Sequence, residues 1–406
     1  MKYLKNIEIA ELYKVSPNTV GNWIEAATEQ KNSLQIFNDG KRAFILNTTT
    51  NHLLLKEMSS RGRKFKNMRS LKVIQPKPEF YKTFSQDQIL DIVRSLEVHK
   101  EIDMKYSYFN GGANEWHEYM ERNIDEGVYK IVKDTLLLNL PYIFELIKPY
   151  KQVNIIDIGV GDGLTVKPVI QEFIKRGLLK SYIGIDYSHR MLEIAKNNMK
   201  EWFGDNFNFI GLQKDFEYDV FQNIIFNNQY TGVNSEDSIN IVFFIGNTIE
   251  NTKRYSQALQ IINYSIGNKD LFLLNQRLDS DKARLSLYFG NNTQAGTDDL
   301  GRRKMVLDLL NINEDYYDIE RLYSDKDKIR YIRAVLKIDL DIVFETPTFK
   351  KVINLASRDQ ITIWRNGHHS FPDVIQELTK LGFDVMHAST SSDKDQIITI
   401  SKLKTV

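Results

Sequence analysis

The apolar positions along this chain change period three times, and each change marks a different kind of element. Near the N-terminus, Ile7, Ile9, Ala10 and Leu12 give a short amphipathic helix. Val20, Trp23 and Ile24 then recur at i, i+3, i+4 after a Ser16-Pro17-Asn18 turn, in which Ser16 can cap and Pro17 can start the next helix. Asn18, Thr19, Asn22 and Glu25 fall on the opposite, polar side. Two apolar runs, 34–37 and 42–46, flank Asn38-Asp39-Gly40, a hairpin signal, and a third helix is predicted over 48–58. Residues 79–150 read as helical, with helices at 85–98 and 128–147 around an aromatic stretch containing Tyr106, Tyr108, Phe109, Trp116 and Tyr119.

From 153 onward short apolar runs alternate with amphipathic segments. Strands are predicted at 153–158, 181–186, 207–212, 238–245 and 270–276, with helices at 163–176, 189–202, 217–226 and 252–265 between them. That alternation is the mark of a parallel, doubly wound α/β sheet. Residues 279–337 read as a polar, tyrosine-rich helical cap insertion, and 338–406 as the return to the sheet, with a strand at 359–364, a helix at 371–381 and a closing antiparallel pair. The division expected is thus 1–70 (winged helix-turn-helix), 79–150 (helical, on the substrate side), 151–278 (Rossmann-like core), 279–337 (cap) and 338–406 (end of the sheet).

Charge sharpens the first boundary. Residues 1–78 hold 14 Lys and Arg against 6 Asp and Glu, whereas the remainder holds the other 40 of 54 basic and 47 of 53 acidic residues. A balance of +8 followed by one of −7 points to an N-terminal module that faces a polyanion, double-stranded DNA being the expected partner of residues 1–70. The chain has no cysteine, which removes thiolate nucleophiles and Cys-ligated metal, and no metal cluster is expected. With no apolar run near the length of a membrane span and no signal-like N-terminus, a cytoplasmic protein without membrane contact is expected. A homodimer is a further expectation.

The candidate chemistry sits at the ends of the predicted strands. The first runs into Asp157-Ile-Gly159-Val-Gly161-Asp162-Gly163, where glycines let backbone approach a ligand and the next helix offers free amides. The spacing is G-x-G-x-G, not the dinucleotide G-x-G-x-x-G, and Asp157 at the strand end would repel a diphosphate but suits a sulfonium zwitterion. Asp186, in IGIDYS with Tyr187 and Ser188, can accept from both hydroxyls of a ribose. Asp215-Phe216 offers an acceptor for an adenine amine beside a ring. Together they predict S-adenosylmethionine as cofactor. The fourth strand leads into FFIGNTIEN, with Gly246, Asn247 and Asn251, and lacks the Asn/Asp-Pro-Pro-aromatic sequence that clamps a base amine.

IIDIGVGDG, YIGIDYS, KDFE and FFIGNTIEN together resemble the motifs of the histidine-specific methyltransferase family typified by the ergothioneine-pathway enzyme, over about residues 80–400. The resemblance implies a class I methyltransferase fold, a cofactor site at Gly159, Gly161, Asp186, Asp215 and Phe216, and an amino-acid-like substrate held at Asn251 and the cap tyrosine Tyr288, the two residues expected at the reacting centre. Tyr108, Asn247 and Trp364 are added as expected substrate contacts. Where the family holds an imidazole with T-E-[VI]-S-x-K-[FY], this chain reads ITIWRNGHHSF. That departure predicts an acceptor other than free histidine, with Arg365 meeting an anionic group and His368 and His369 as surface or capping residues. The N-terminal stretch EIAELYKVSPNTVGNWIEAA resembles MerR-like and excisionase-like winged helix-turn-helix modules. The functions expected are an N-methyltransferase for an amino-acid-like or peptide amine, a DNA-binding regulator that senses the cofactor or a metabolite, and a nucleic-acid methyltransferase, in that order.

Overall fold

The computed structural model describes residues 3–404 except 14, 29–33, 39–42, 47, 49–50, 53, 57, 59–70, 226–236, 281–283 and 285–299. The chain divides into two compact units, Met1–Ser70 and Leu71–Val406.

The first unit holds the helices Asn6–Tyr13 and Pro17–Thr28 and a three-stranded antiparallel sheet whose first strand precedes them. Its strands are β1 (Tyr3–Leu4), β2 (Ile36–Asn38) and β3 (Ala43–Leu46), in the order β1-β3-β2. The Thr19 amide donates to Ser16 Oγ at 3.1 Å, the cap that starts the second helix. That helix buries Val20, Ile24 and Ala27 against Ile9 and Ile45 and leaves Asn18, Asn22 and Glu25 exposed. The Asp39-Gly40 turn and the basic run at 61–66 lie outside the described residues.

The second unit is organised by seven strands in the order β15-β16-β9-β8-β5-β6-β7. These are β5 (Gln152–Ile158), β6 (Leu179–Asp186), β7 (Phe209–Gln213), β8 (Ser238–Phe244), β9 (Leu271–Arg277), β15 (Phe383–Thr390) and β16 (Gln396–Leu403). The first five pair in parallel, and β16 runs antiparallel between β9 and β15. Helices on both faces require strands that are apolar on both sides, and β8 is buried at every position. One face packs on the helices Gly127–Ile147, Lys167–Lys175 and His189–Phe203, the other on Tyr255–Ser265 and Phe371–Lys380. At the base of the sheet Ser181 donates to Asn154, Asn154 to Asn240 and Asn240 to Asp270, at 2.7, 3.0 and 3.1 Å. This buried polar chain fixes the register of four strands, because a slip would orphan each amide in turn.

Strand order reverses between β5 and β8, which opens a crevice at the carboxyl ends of the strands. Over it lies a cap with its own core. One sheet is β10 (Tyr317–Ser324), β11 (Ile329–Leu336) and β14 (Gln360–Gly367); the other is β13 (Lys350–Leu355), β12 (Leu340–Glu345) and β4 (Lys72–Ile74). They pack around Phe80, Phe84, Ile92, Leu96, Tyr106 and Leu307.

Three expectations change here. Residues 317–336 form a hairpin instead of helix, in an antiparallel ladder that runs without a break from Tyr317 opposite Leu336 to Ser324 opposite Ile329. Residues 340–367 build the cap, so the central sheet resumes only at Phe383. The aromatic stretch forms a 3-10 turn, Met104–Tyr108, and a helix, Gly112–Asn123. Among the described residues no helix is long and apolar enough to cross a membrane.

Candidate active site

The loop after β5 is shaped by its glycines. Gly159 and Gly163 hold φ of +66° and +79°, the left-handed region that L side chains rarely adopt. A Cβ on Gly159 would stand 2.6 Å from Thr248 Cγ2, and one on Gly163 2.4 Å from Met199 Cε. The Gly159 and Val160 amides donate to the Ile185 carbonyl at 2.8 and 3.2 Å, tying the loop to the end of β6.

Asp186, which ends β6, completes that tie. Its Oδ2 accepts from the Gly161 amide at 3.2 Å and its Oδ1 from the Ser188 amide at 2.9 Å. Burial pushes this carboxyl up to about 6 in spite of these donors. Ser188 caps the following helix through the Met191 amide at 3.3 Å. Asp157 is buried behind the loop and accepts from Tyr182 OH at 2.5 Å; burial, with Asp186 nearby, raises it to about 7. Asp162 accepts from the Leu164 amide and faces His117 Nδ1 at 3.1 Å; this hydrogen bond raises the histidine.

These residues wall a cleft, open to solvent, at the switch point of the sheet. Asp157, Gly159, Gly161, Asp162, Gly163, Asp186, Tyr187, Phe216, Gly246, Asn251 and Tyr108 all reach its wall. Asp215 does not: its Oδ2 is bound by Lys105 at 2.8 Å and its Oδ1 by the Glu217 amide at 3.1 Å. Burial opposes the charge of Lys105, yet Asp215 and Asp91 hold its pKa above the ordinary value. Trp364 lies in an adjoining recess that shares Met104, Lys105, Glu217 and Asn251 with the cleft. Tyr288 lies outside the described residues.

The far end of the cleft is polar and incompletely satisfied. Asn251 in its wall buries an Oδ1 that meets no donor among the described residues, and so does Asn247, at φ +63°, which lies between the wall residues Gly246 and Thr248 but does not itself reach the wall. Such an oxygen carries a desolvation penalty until a ligand donor reaches it. Beside them is Glu217, a wall residue not singled out from sequence although it follows the Asp215-Phe216 pair directly. Its Oε2 accepts from the Lys253 amide at 3.1 Å, and burial, with Asp215 and Asp103, raises it to about 7. Met104, Lys105 and Tyr129 were likewise not singled out; they come from the segment 104–129, which carries no motif.

Two expectations about the ITIWRNGHHSF segment are corrected. Arg365 donates to Glu101 at 2.8 Å, so its charge is already matched. His368 is 2% exposed, and burial lowers it to about 4; it is a core residue, held neutral, and not a surface one.

A glycine cradle at a reversed strand order, with an acidic residue closing the second strand, is the arrangement of a nucleoside-binding α/β fold, and it lets protein backbone approach the cofactor closely. Residues 86–402 match the family described as histidine-specific methyltransferase, SAM-dependent, and the chain belongs to that family. It is an S-adenosylmethionine-dependent methyltransferase. No curated protein matches it by sequence. Among solved structures it is similar to an S-adenosylmethionine-dependent methyltransferase from Clostridium acetobutylicum (10% identity, 72% of this chain and 99% of that one, TM-score 0.38). It is also similar to magnesium protoporphyrin IX methyltransferase from Synechocystis with bound SAH (13%, 73% and 95%, 0.39) and to the glycopeptide N-methyltransferase MtfA complexed with sinefungin (12%, 65% and 92%, 0.32).

Proposed function

We propose that the enzyme methylates the nitrogen of an amino-acid-like or peptide amine other than free histidine. The observation that carries this reading is the buried, donor-less amide oxygen of Asn251 in the wall of the cleft, with a second such oxygen on Asn247 in the loop beside it. An amine brings the N–H donors these oxygens lack. S-adenosylmethionine, held by the glycine loop, Asp186, Tyr187 and Phe216, supplies an activated methyl group that needs only an aligned lone pair. The acceptor must be neutral to attack, and Glu217 can take the ammonium proton near neutral pH. Asn251 then orients the nitrogen, with Tyr108 and Trp116 covering the cleft from above. Tyr288 is proposed as a further contact from the cap. The ITIWRNGHHSF segment supports an acceptor without an imidazole clamp, since it holds no T-E-[VI]-S sequence, whose Glu and Ser the resemblance implies for that clamp. Turnover of labelled cofactor against a panel of amino acids, amines and peptides tests the reading. Methylation of histidine alone would refute it.

For Met1–Ser70 we propose binding to double-stranded DNA, favoured by the exposed Asn18, Asn22 and Glu25 on the Pro17–Thr28 helix and by the basic balance of that region. Duplex affinity of the full chain should fall steeply with salt and weaken on neutralising Arg61, Arg63, Lys64 and Lys66. Unchanged affinity would leave a protein-docking role.

A further inference from the structure

The cap sheet carries a guanidinium that no carboxylate among the described residues neutralises. In the β11–β14 ladder Ile332 stands opposite Trp364 and Arg330 opposite Asn366; in the β10–β11 ladder Tyr323 stands opposite Arg330. Opposed residues share a face, so Arg330, Trp364, Asn366 and Tyr323 project from one side of this sheet. That side looks onto the carboxyl ends of the central strands: Asn366 donates to Glu250 at 2.7 Å and Tyr323 OH to Asp279 at 2.9 Å.

The acids there are already engaged. Glu250 takes the Arg277 amide and Asn366, Asp279 takes Arg284 and Tyr323, and Asp395 takes the Arg277 side chain. Among the described residues Arg330 has no carboxylate at ion-pair distance. The charges that bear on it are the guanidiniums of Arg303, Arg277 and Arg321, and burial together with these lowers its pKa to about 10. Arg303 and Arg330 lie 4.4 and 5.5 Å from the centre of the Trp364 ring. Arg365, on the opposite face of β14, shows what a paired arginine looks like here, with Glu101 at 2.8 Å. A half-buried, unpaired guanidinium among three others is costly unless a ligand anion completes it, and its planar fork matches a carboxylate or a phosphate.

We propose that Arg330, against Trp364, binds an anionic group, carboxylate or phosphate, carried by the methyl acceptor. Trp364 connects this position to the amine end, since it also lines the recess that contains Asn251 and Glu217. The assignment to the acceptor rests on the amine-methylation reading; the anion site itself does not.

The test titrates the full chain, saturated with S-adenosylhomocysteine, with inorganic phosphate and separately with glutarate, followed by calorimetry. Saturable binding of either anion is expected, with phosphate alone pointing to a phosphorylated acceptor and glutarate alone to an acidic one. R330Q should weaken that binding by about tenfold or more, and R330K should retain part of it. Both variants should bind S-adenosylhomocysteine within about twofold of wild type, which reports an intact fold; if R330Q does not fold, R330K against wild type carries the comparison. No saturable binding of either anion, or equal binding by R330Q, would overturn the proposal. Loss of S-adenosylhomocysteine binding in the wild type would instead strike the cofactor site, while leaving the anion result readable on the free chain.

Discussion

Replacing Asp186 by Asn keeps the shape of the side chain and removes its charge, and the structure assigns two separate costs to that change. The carboxylate accepts one backbone amide on each oxygen, from Gly161 and Ser188. The Asn side chain has one acceptor oxygen and one donor NH₂, so one amide faces another donor and stays unsatisfied, at about 1–3 kcal/mol. The second cost falls on the cofactor, whose ribose hydroxyls need acceptors. Because burial raises the carboxyl to about 6, the wild-type group passes from acceptor to protonated acid just below neutrality. Affinity for S-adenosylhomocysteine should therefore rise from about pH 5 to about pH 7, by up to roughly tenfold per pH unit below the midpoint, and level off above it.

Stability of the free protein moves the other way. A carboxyl whose folded pKa lies above its ordinary value near 3.9 contributes stability below that value and loses it as pH rises through about 6. The change is on the order of 3 kcal/mol at most, since each pKa unit is about 1.4 kcal/mol. D186N should flatten both profiles. Calorimetry across this pH range, in parallel with chemical denaturation, makes the check. A pH-independent affinity in the wild type, or a D186N variant that binds within about twofold at pH 7.5, would refute the role given to Asp186. A limb that persists in D186N would transfer it to Asp157 or Glu217, both raised to about 7.

Other residues of the cleft make separable predictions. G159A forces an L residue to φ +66° and brings a methyl 2.6 Å from the β-branched Thr248, so it should cost about 2–4 kcal/mol in denaturant unfolding and weaken cofactor binding; wild-type stability would mean the loop can rebuild. N251A removes an oxygen that no donor among the described residues satisfies, so stability should hold or rise slightly while the KM for the proposed amine increases about tenfold; a destabilised variant with unchanged KM would make Asn251 structural. E217Q should lower kcat/KM by about a hundredfold and abolish its rise through pH 7, with S-adenosylhomocysteine affinity unchanged; a retained pH limb would put the proton elsewhere.

How far these residues could be read from sequence follows from the range of the interactions that place them. The glycine loop, Asp186 and Tyr187 are set by local rules: a strand buried on both faces, a turn at positive φ and a serine cap, all within a few positions of one another. The cap escapes such rules. Its β4 pairs in parallel with β12 from the far end of the chain, a contact no local pattern encodes. Strand β10 is half-exposed along most of its length, and β11, IRYIRAVL, sets Arg and Tyr among its apolar residues, so the period-2 alternation that betrays a strand is blurred in the sequence. Asp215 shows the reverse failure. Its position at a strand end is as the motif predicts, but Lys105, from a segment without any motif, claims its carboxylate.

The same reasoning locates where acceptor choice must be encoded. Methyl transfer asks little of the protein beyond alignment, so the cofactor cradle can stay constant while acceptors differ. Selectivity then belongs to the elements beside the cleft, and β14 is the strand that reaches the recess adjoining it. Its alternation sends Trp364 toward Arg303 and Arg330 and Arg365 to the opposite side, where Glu101 neutralises it. Two neighbouring residues thus divide a binding wall from a structural ion pair. Exchanging Trp364 for a small side chain should therefore alter which amine is accepted and leave cofactor affinity alone. Breaking the Arg365–Glu101 pair should cost stability, by about 3 kcal/mol, and leave the acceptor preference intact. A Trp364→Ala enzyme with the wild-type preference across an amine panel would place selectivity outside β14.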